Sequence, residues 1–243
     1  MTEAPIAQKT EKFETAIQKI SVNNSIENIT DTLAVEEPLE IRLGLTGEEH
    51  SVSITMRTPG NDFELASGFL FTEGILKSKD QIKLIRHCTT FPPSENIIRV
   101  DLSSETSVDL RKLDRNFYTT SSCGVCGKSS LDALFNAGAK PIENNSNFKI
   151  SAEIIHSFPK KLRDSQDIFE LTGGLHAAAL FDFSGNLIDL REDVGRHNAV
   201  DKLIGRQFLD DKLPLSDKVL FLSGRASFEL VQKAVMAQIP LIC

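Results

Sequence analysis

Nowhere in its 243 residues does the chain hold an apolar run approaching the roughly 18 residues that cross a bilayer, and its first nine residues, Met1 to Lys9, contain no hydrophobic signal core. Those absences argue against a helical membrane protein, and the expectation is a cytoplasmic one with no membrane partner. Positive charge is also short. With 27 Lys and Arg against 34 Asp and Glu, the net charge is −7, and a mean field of that sign repels phosphate. Nucleic acid is therefore not an expected partner, although a local basic pocket remains compatible with the composition. Cysteine is scarce: Cys88, Cys123, Cys126 and Cys243 are too few and too scattered for the disulfide staple of a small secreted protein. In a reducing compartment a close pair of cysteines points to metal binding, redox chemistry or sulfur carriage instead. Tryptophan is absent, which excludes nothing, and there is no internal repeat or low-complexity tract.

What is present is ordinary globular composition, 40% hydrophobic and 25% charged, enough for one large domain or two small ones. Three regions are expected. Residues 1–30 are polar and mixed, broken at Asn23-Asn24-Ser25, and read as a loosely attached arm. Residues 31–115 read as β-rich: Leu39, Ile41, Leu43 and Leu45 alternate, as do Val52, Ile54 and Met56, around a Thr46-Gly47-Glu48 turn. Thr58-Pro59-Gly60-Asn61-Asp62 breaks the strand and caps a helix bearing Phe63, Ala66 and Leu70 that stops at Gly74. A second hairpin, Ile82 and Leu84 with Ile98, Val100 and Leu102, crosses Phe91-Pro92-Pro93.

Residues 116–243 read as an α/β domain. Helices are expected at 129 to about 136, closed by Gly138, and at 152–162. Thr172-Gly173-Gly174 leads into a strand at 177–183, which turns at Ser184-Gly185-Asn186 into 187–190. A helix follows with Val200, Leu203, Ile204 and Phe208 on one side. A strand at 219–222, a Ser223-Gly224-Arg225 turn, a helix at 228–238 and a strand from Ile239 complete a βαβ unit with a parallel pair. The chain stops at Leu241-Ile242-Cys243, within an expected buried strand, and so reads as truncated at its carboxy end.

The chemistry is expected at Ser122-Cys123-Gly124-Val125-Cys126-Gly127, where a polar turn meets the start of an expected helix. Unpaired amides at a helix start favour the thiolate, and the thiolate is the reactive form of sulfur. Other readings stand beside this one. Two small residues in a tight corner would be the bland one, but the flanks are polar and glycine-bearing rather than apolar. A zinc deaminase pairs Cys-x-x-Cys with His-x-Glu, and none of the five histidines has Glu two positions on. There is no second Cys-x-x-Cys, so a structural zinc would need distant ligands, and no permanent metal is expected. A thioredoxin-like dithiol belongs near the start of a βαβ fold, not mid-chain. Gly127-Lys128-Ser129 matches the end of a phosphate loop, but Ser122 stands where that motif demands glycine.

Four blocks together are similar to the formate dehydrogenase accessory family of FdhD type. They are the segment from Thr58 through Gly68 to Ile75, the Ser121 to Gly127 cysteine turn, Thr172-Gly173-Gly174-Leu175-His176, and the run from Arg191 to Lys202. They occur in the family's order and span most of the chain from about residue 31. The resemblance implies a sulfur carrier that accepts persulfide sulfur from a cysteine desulfurase. It would pass that sulfur to a molybdenum or tungsten bis-pterin guanine dinucleotide (molybdopterin guanine dinucleotide, Mo-bis-MGD) destined for the formate dehydrogenase catalytic subunit. By motif position Cys123 is implied to bear the persulfide, with Cys126 assisting. The resemblance further implies a homodimer, and a cytidine-deaminase-like core for the carboxy-terminal domain without the deaminase zinc set. The family also continues past the strand begun by Ile239.

Such a cofactor needs anion and purine contacts. Ser223, Gly224 and Arg225 lie between a strand and a helix, where amides and a guanidinium can hold phosphate. His197, with Arg191 and Arg196, flanks Gly195 at another helix start. The plain alternatives are a solvated turn for Ser223-Gly224-Arg225, capping and surface hydrogen bonds for Glu192, Asp193 and His197, and a simple turn for Thr172-Gly173-Gly174. His176 and Cys88 read as structural, and the fifteen phenylalanines as core. A non-catalytic cofactor chaperone and a zinc-stabilised binding module are the competing functions.

Overall fold

Alternation along one strand organises the first half of the molecule: Leu39, Ile41 and Leu43 are fully buried while the residues between them face outward. The computed structural model describes residues 10–45, 48–88, 94–104, 106, 108, 138–142 and 149–243. The cysteine turn with Cys123 and Cys126, the helix expected at 129–136 and the 115/116 boundary lie outside the described residues. In chain order the elements are β1 (Lys12–Ile20), β2 (Ile26–Ala34), β3 (Glu37–Leu45), β4 (Glu48–Arg57), α1 (Asp62–Thr72), β5 (Ile82–Cys88), β6 (Ser94–Leu102), α2 (Ala152–Arg163), α3 (Asp167–Thr172), β7 (His176–Asp182), β8 (Leu187–Asp193), α4 (Arg196–Leu209), β9 (Lys218–Leu222), α5 (Phe228–Met236) and β10 (Leu241–Ile242).

Both expected hairpins form, β3 with β4 and β5 with β6, and they join into one sheet of order β4-β3-β6-β5 through a parallel β3–β6 pair. The second sheet runs β10-β9-β7-β8. Its β9–β10 pair is parallel and its other pairs antiparallel, so the sheet is mixed, and the fold is α/β with a β-rich first part as the sequence implied.

The two sheets share one core through a close helix crossing. Gly68 of α1 and Gly205 of α4 face each other: a methyl group on Gly68 would overlap the carbonyl of Asp201, and one on Gly205 would overlap that of Glu64. Only hydrogen at both positions lets the two backbones approach so closely. Around the crossing, Leu65 and Leu70 of α1 pack with Val200, Leu203 and Ile204 of α4, and with Leu39 and Ile98 on one side and Leu180 and Leu220 on the other. The β-rich region and the α/β region thus share one buried cluster, and a second, smaller one lies between α2 and the second sheet.

Three local features differ from or add to the expectations. Residues 12–34 form a two-stranded antiparallel ribbon, β1 with β2, turning at Asn24 (φ 61°). Its period of two is set by the facing pairs Phe13–Leu33 and Ile17–Ile29, whose polar neighbours obscured it. In β4 a bulge lies where Ile41 pairs with Ser53 and Arg42 with Ser51. Val52 is buried there, and the extra residue turns Ile54 and Met56 to solvent instead of into the core. At the start of α1, Asn61 is the cap in a left-handed conformation and makes no side-chain cap bond. The Asp62 carboxylate takes the buried guanidinium of Arg57 at 3.0 and 2.8 Å instead.

Candidate functional site

Two sequence motifs 135 residues apart are one structural unit. Asp193, at the end of β8, is fully buried. Its carboxylate accepts the amide of Thr58 at 3.2 Å, the amide of Gly195 at 2.8 Å and Nδ2 of Asn198 at 3.0 Å, and faces Nζ of Lys202 at 2.7 Å. Thr58 answers with both of its oxygens. Its hydroxyl accepts the amide of Val194 at 3.1 Å, and its carbonyl accepts Nζ of Lys202 at 2.8 Å. Asn198 closes the unit by donating to the carbonyl of Met56 at 2.7 Å. The Thr58-Pro59-Gly60 turn and the Asp193-to-Lys202 segment therefore hold each other, and α4 starts where that lock sets it. Arg191 adds a fork onto Glu64 of α1.

What the lock presents is the start of α4 beside the end of β9. His197 Nε2 lies 2.9 Å from Glu229 and 3.1 Å from the Ser227 hydroxyl, tying the starts of α4 and α5 together. The Ser223 hydroxyl accepts the amide of Ala177 at 2.8 Å, so this side chain also extends the pairing of β7 with β9. A β-carbon on Gly224 would sit 3.3 Å from His176 Nδ1 and 3.9 Å from the Arg196 side chain. Arg225 is exposed in the same loop. Among the described residues none accepts the amides of Gly224 or Arg225. Ser223, Gly224, Arg225, His176, Arg196 and His197 thus gather at one end of the second sheet.

A cleft of about 460 Å³ opens there, between the α2–α3 corner and the ends of β7 and β9, lined by Arg163, Phe169, Gly174, His176 and Ser223 among others. Two of its walls have legible causes. Glu192 accepts the amides of Phe169 at 3.0 Å and Ile168 at 3.2 Å, capping α3 and fixing the backbone that carries Phe169. Gly173 has φ 64° and ends α3 with a bond to the Phe169 carbonyl at 2.7 Å, a conformation that favours glycine. Gly174 is different, because among the described residues a β-carbon there would meet nothing closer than 3.6 Å.

Charge separates this cleft from a larger one. Arg163 lines the smaller cleft, and Arg225 follows its lining residue Ser223 by two positions. Burial holds the pKa of His176 below the ordinary histidine value, and the Arg196 charge adds to the effect against the opposing pull of Asp193. The larger cleft, about 1000 Å³ between the ribbon and the Thr58-Pro59-Gly60 turn, carries Glu11, Glu14 and Glu95 in addition to the paired Asp62 and Glu64. Its sign is wrong for an anion.

The model of the FdhD/NarQ family matches residues 34–243. The chain belongs to the FdhD/NarQ family. Its relatives include proteins named sulfur carrier protein FdhD. That of Streptomyces avermitilis is 52% identical over 216 residues, covering 87% of this chain and 75% of the relative. That of Saccharolobus solfataricus is 44% identical over 214 residues, covering 88% and 77%. A crystal structure from Desulfotalea psychrophila, of a protein provisionally described as a formate dehydrogenase accessory protein, superposes with a TM-score of 0.69 at 22% identity over 96% of this chain and 83% of that one. That likeness shows the fold.

Three of the four blocks that carried the FdhD resemblance meet in space, and the fourth, the cysteine turn, lies outside the described residues. Glu192 is a helix cap, as its plain reading held, whereas Asp193 is no surface group but the buried centre of the lock. Sequence reasoning missed α3 and with it Phe169. The signals were Asp167 opening a short helical stretch and Thr172-Gly173 closing it.

Proposed function

We propose that this chain is a sulfur carrier in the maturation of formate dehydrogenase. The observation that carries the reading is the family match over residues 34–243. In this reading the thiolate of Cys123 attacks the outer sulfur of a cysteine desulfurase persulfide. The donor's S–S bond breaks, its cysteine leaves as a thiolate, and Cys123 keeps the transferred sulfur as its own persulfide. Cys126 assists. The sulfur is then delivered to a molybdenum or tungsten bis-pterin guanine dinucleotide, which is cargo bound for the dehydrogenase catalytic subunit. The carrier works in the cytoplasm and as a homodimer. No helix among the described residues is long and apolar enough to cross a membrane.

The smaller cleft fits the nucleotide end of such a cargo. Its volume of about 460 Å³ suits one nucleotide. Gly174 leaves its backbone open to close approach, Arg163 is an exposed lining residue, and Arg225 is exposed two residues after the lining Ser223. In this reading Ser223, Gly224, Arg225 and His197 belong to the phosphate side. Of these, the Gly224 and Arg225 amides and the Arg225 guanidinium are the groups that would donate.

The test is incubation of the full chain with a cysteine desulfurase and cysteine, followed by mass spectrometry of the cysteine-bearing peptide. One added sulfur on Cys123, and loss of formate dehydrogenase activation in Cys123→Ser, are expected. A Cys123→Ser protein that still matures active dehydrogenase would mean that the chain acts only as a cofactor chaperone.

A further inference from the structure

Several phenylalanines of this chain pack on one another. Phe71 meets Phe208 at 5.2 Å, and Phe158, Phe181 and Phe221 form a core triangle with centroids 4.2 to 6.2 Å apart. Phe169 does not follow them. Its ring lines the smaller cleft, half-buried, and the described group over it is a cation: the Arg163 guanidinium carbon stands 5.8 Å from the ring centroid. Arg163 is the last residue of α2 and is itself exposed.

The ring is held in place from behind. The Glu192 carboxylate fixes the Phe169 amide at 3.0 Å, and the Gly173 amide holds its carbonyl at 2.7 Å. The ring stands on a backbone pinned at both its amide and its carbonyl, outside the two buried clusters and in the wall of the cleft, where a flat ring entering the cleft would meet it. Gly174, for which the described residues leave room for a side chain, stands in the same cleft. Ser223, where the loop before α5 begins, lines the same cleft.

We propose that Phe169, with Arg163 beside it, is the stacking platform for the guanine base of the nucleotide, and that Glu192 is the positioning residue that sets it. This rests on the reading of the cleft as a guanine-nucleotide site. Purine faces stack on aromatic rings and on guanidinium planes alike, and neither contact requires a change in the fold. The division of labour is simple: cations on the Ser223 side take phosphate charge, and the aromatic side takes the ring.

The absence of tryptophan from the chain makes the test direct. In Phe169→Trp the new indole is the protein's sole tryptophan, and titration with guanosine diphosphate is expected to quench its fluorescence with the same saturation curve that calorimetry gives. Phe169→Ala is expected to bind guanosine diphosphate about 10-fold more weakly while binding inorganic pyrophosphate as the unaltered protein does, and Phe169→Tyr to retain affinity. Calorimetric binding to Phe169→Trp without quenching would overturn the platform, as would an equal loss for nucleotide and pyrophosphate in Phe169→Ala. If the unaltered chain binds no guanosine diphosphate at all, the nucleotide reading of the cleft itself falls, a result distinct from either of these.

Discussion

Nζ of Lys202 lies 2.7 Å from Oδ2 of Asp193, with 2% and 0% of the two side chains exposed. The pair joins the second helix of the glycine crossing to the last residue of β8, and through the Thr58 carbonyl it reaches the first half of the molecule. A buried pair of this kind is not strongly stabilising relative to apolar residues, but losing one partner leaves an uncompensated charge.

Lys202→Met should therefore destabilise by about 3–5 kcal/mol, lowering the melting temperature by roughly 6–20 °C in a chain of this size. Calorimetry or circular dichroism melts check it. Replacing Asp193 and Lys202 together by apolar residues is expected to recover part of that loss. A double variant as unstable as the single losses combined would place the cost in packing instead of charge.

Gly205→Ala should be destabilising even though alanine is the better helix former. Helix propensity favours alanine by about 1 kcal/mol, while the added methyl meets the Glu64 carbonyl and must push α1 from α4, an overpacking cost of roughly 1–3 kcal/mol or more. Denaturant unfolding measures the balance. Stabilisation would show that the crossing relaxes freely.

His176 supplies a pH test. Its folded pKa lies below the unfolded value of about 6.5, so the unfolded chain binds that proton first. Its contribution to stability is complete above about pH 6.5 and is lost as pH falls from there toward the folded pKa. His176→Gln should flatten the fall of stability between about pH 7.5 and pH 5.5. An unchanged slope would mean that His176 titrates as a solvated histidine.

Arg225 separates binding from folding. It is exposed and makes no ion pair among the described residues, so Arg225→Ala should leave the melting temperature nearly unchanged. Guanosine diphosphate binding by calorimetry should weaken by about 10-fold through loss of a charge-assisted contact. Unchanged affinity would remove the Ser223-Gly224-Arg225 loop from the phosphate side.

Much of the fold was legible because its strands alternate and its breaks are chemical. Leu39, Ile41 and Leu43 announce β3, Gly74 stops α1, and Ser184-Gly185-Asn186 turns β7 into β8. The ribbon was not legible, because Phe13, Ile17, Ile29 and Leu33 stand among charged and amide residues, and only pairing across two strands puts them on one face. The site was half legible. Ser223-Gly224-Arg225 stood out as a strand-to-helix turn, whereas Phe169 looked like any other core phenylalanine.

Local chemistry alone determined the element types, the turn positions and the motif set by which the family could be recognised, since each depends on residues close along the chain. Tertiary structure decided what those motifs do. The roles of Asp193, Lys202 and Thr58 exist only once 135 residues of chain bring the groups within hydrogen-bonding distance. Whether a phenylalanine packs into the core or faces a cleft depends on what folds over it, and no local pattern carries that information.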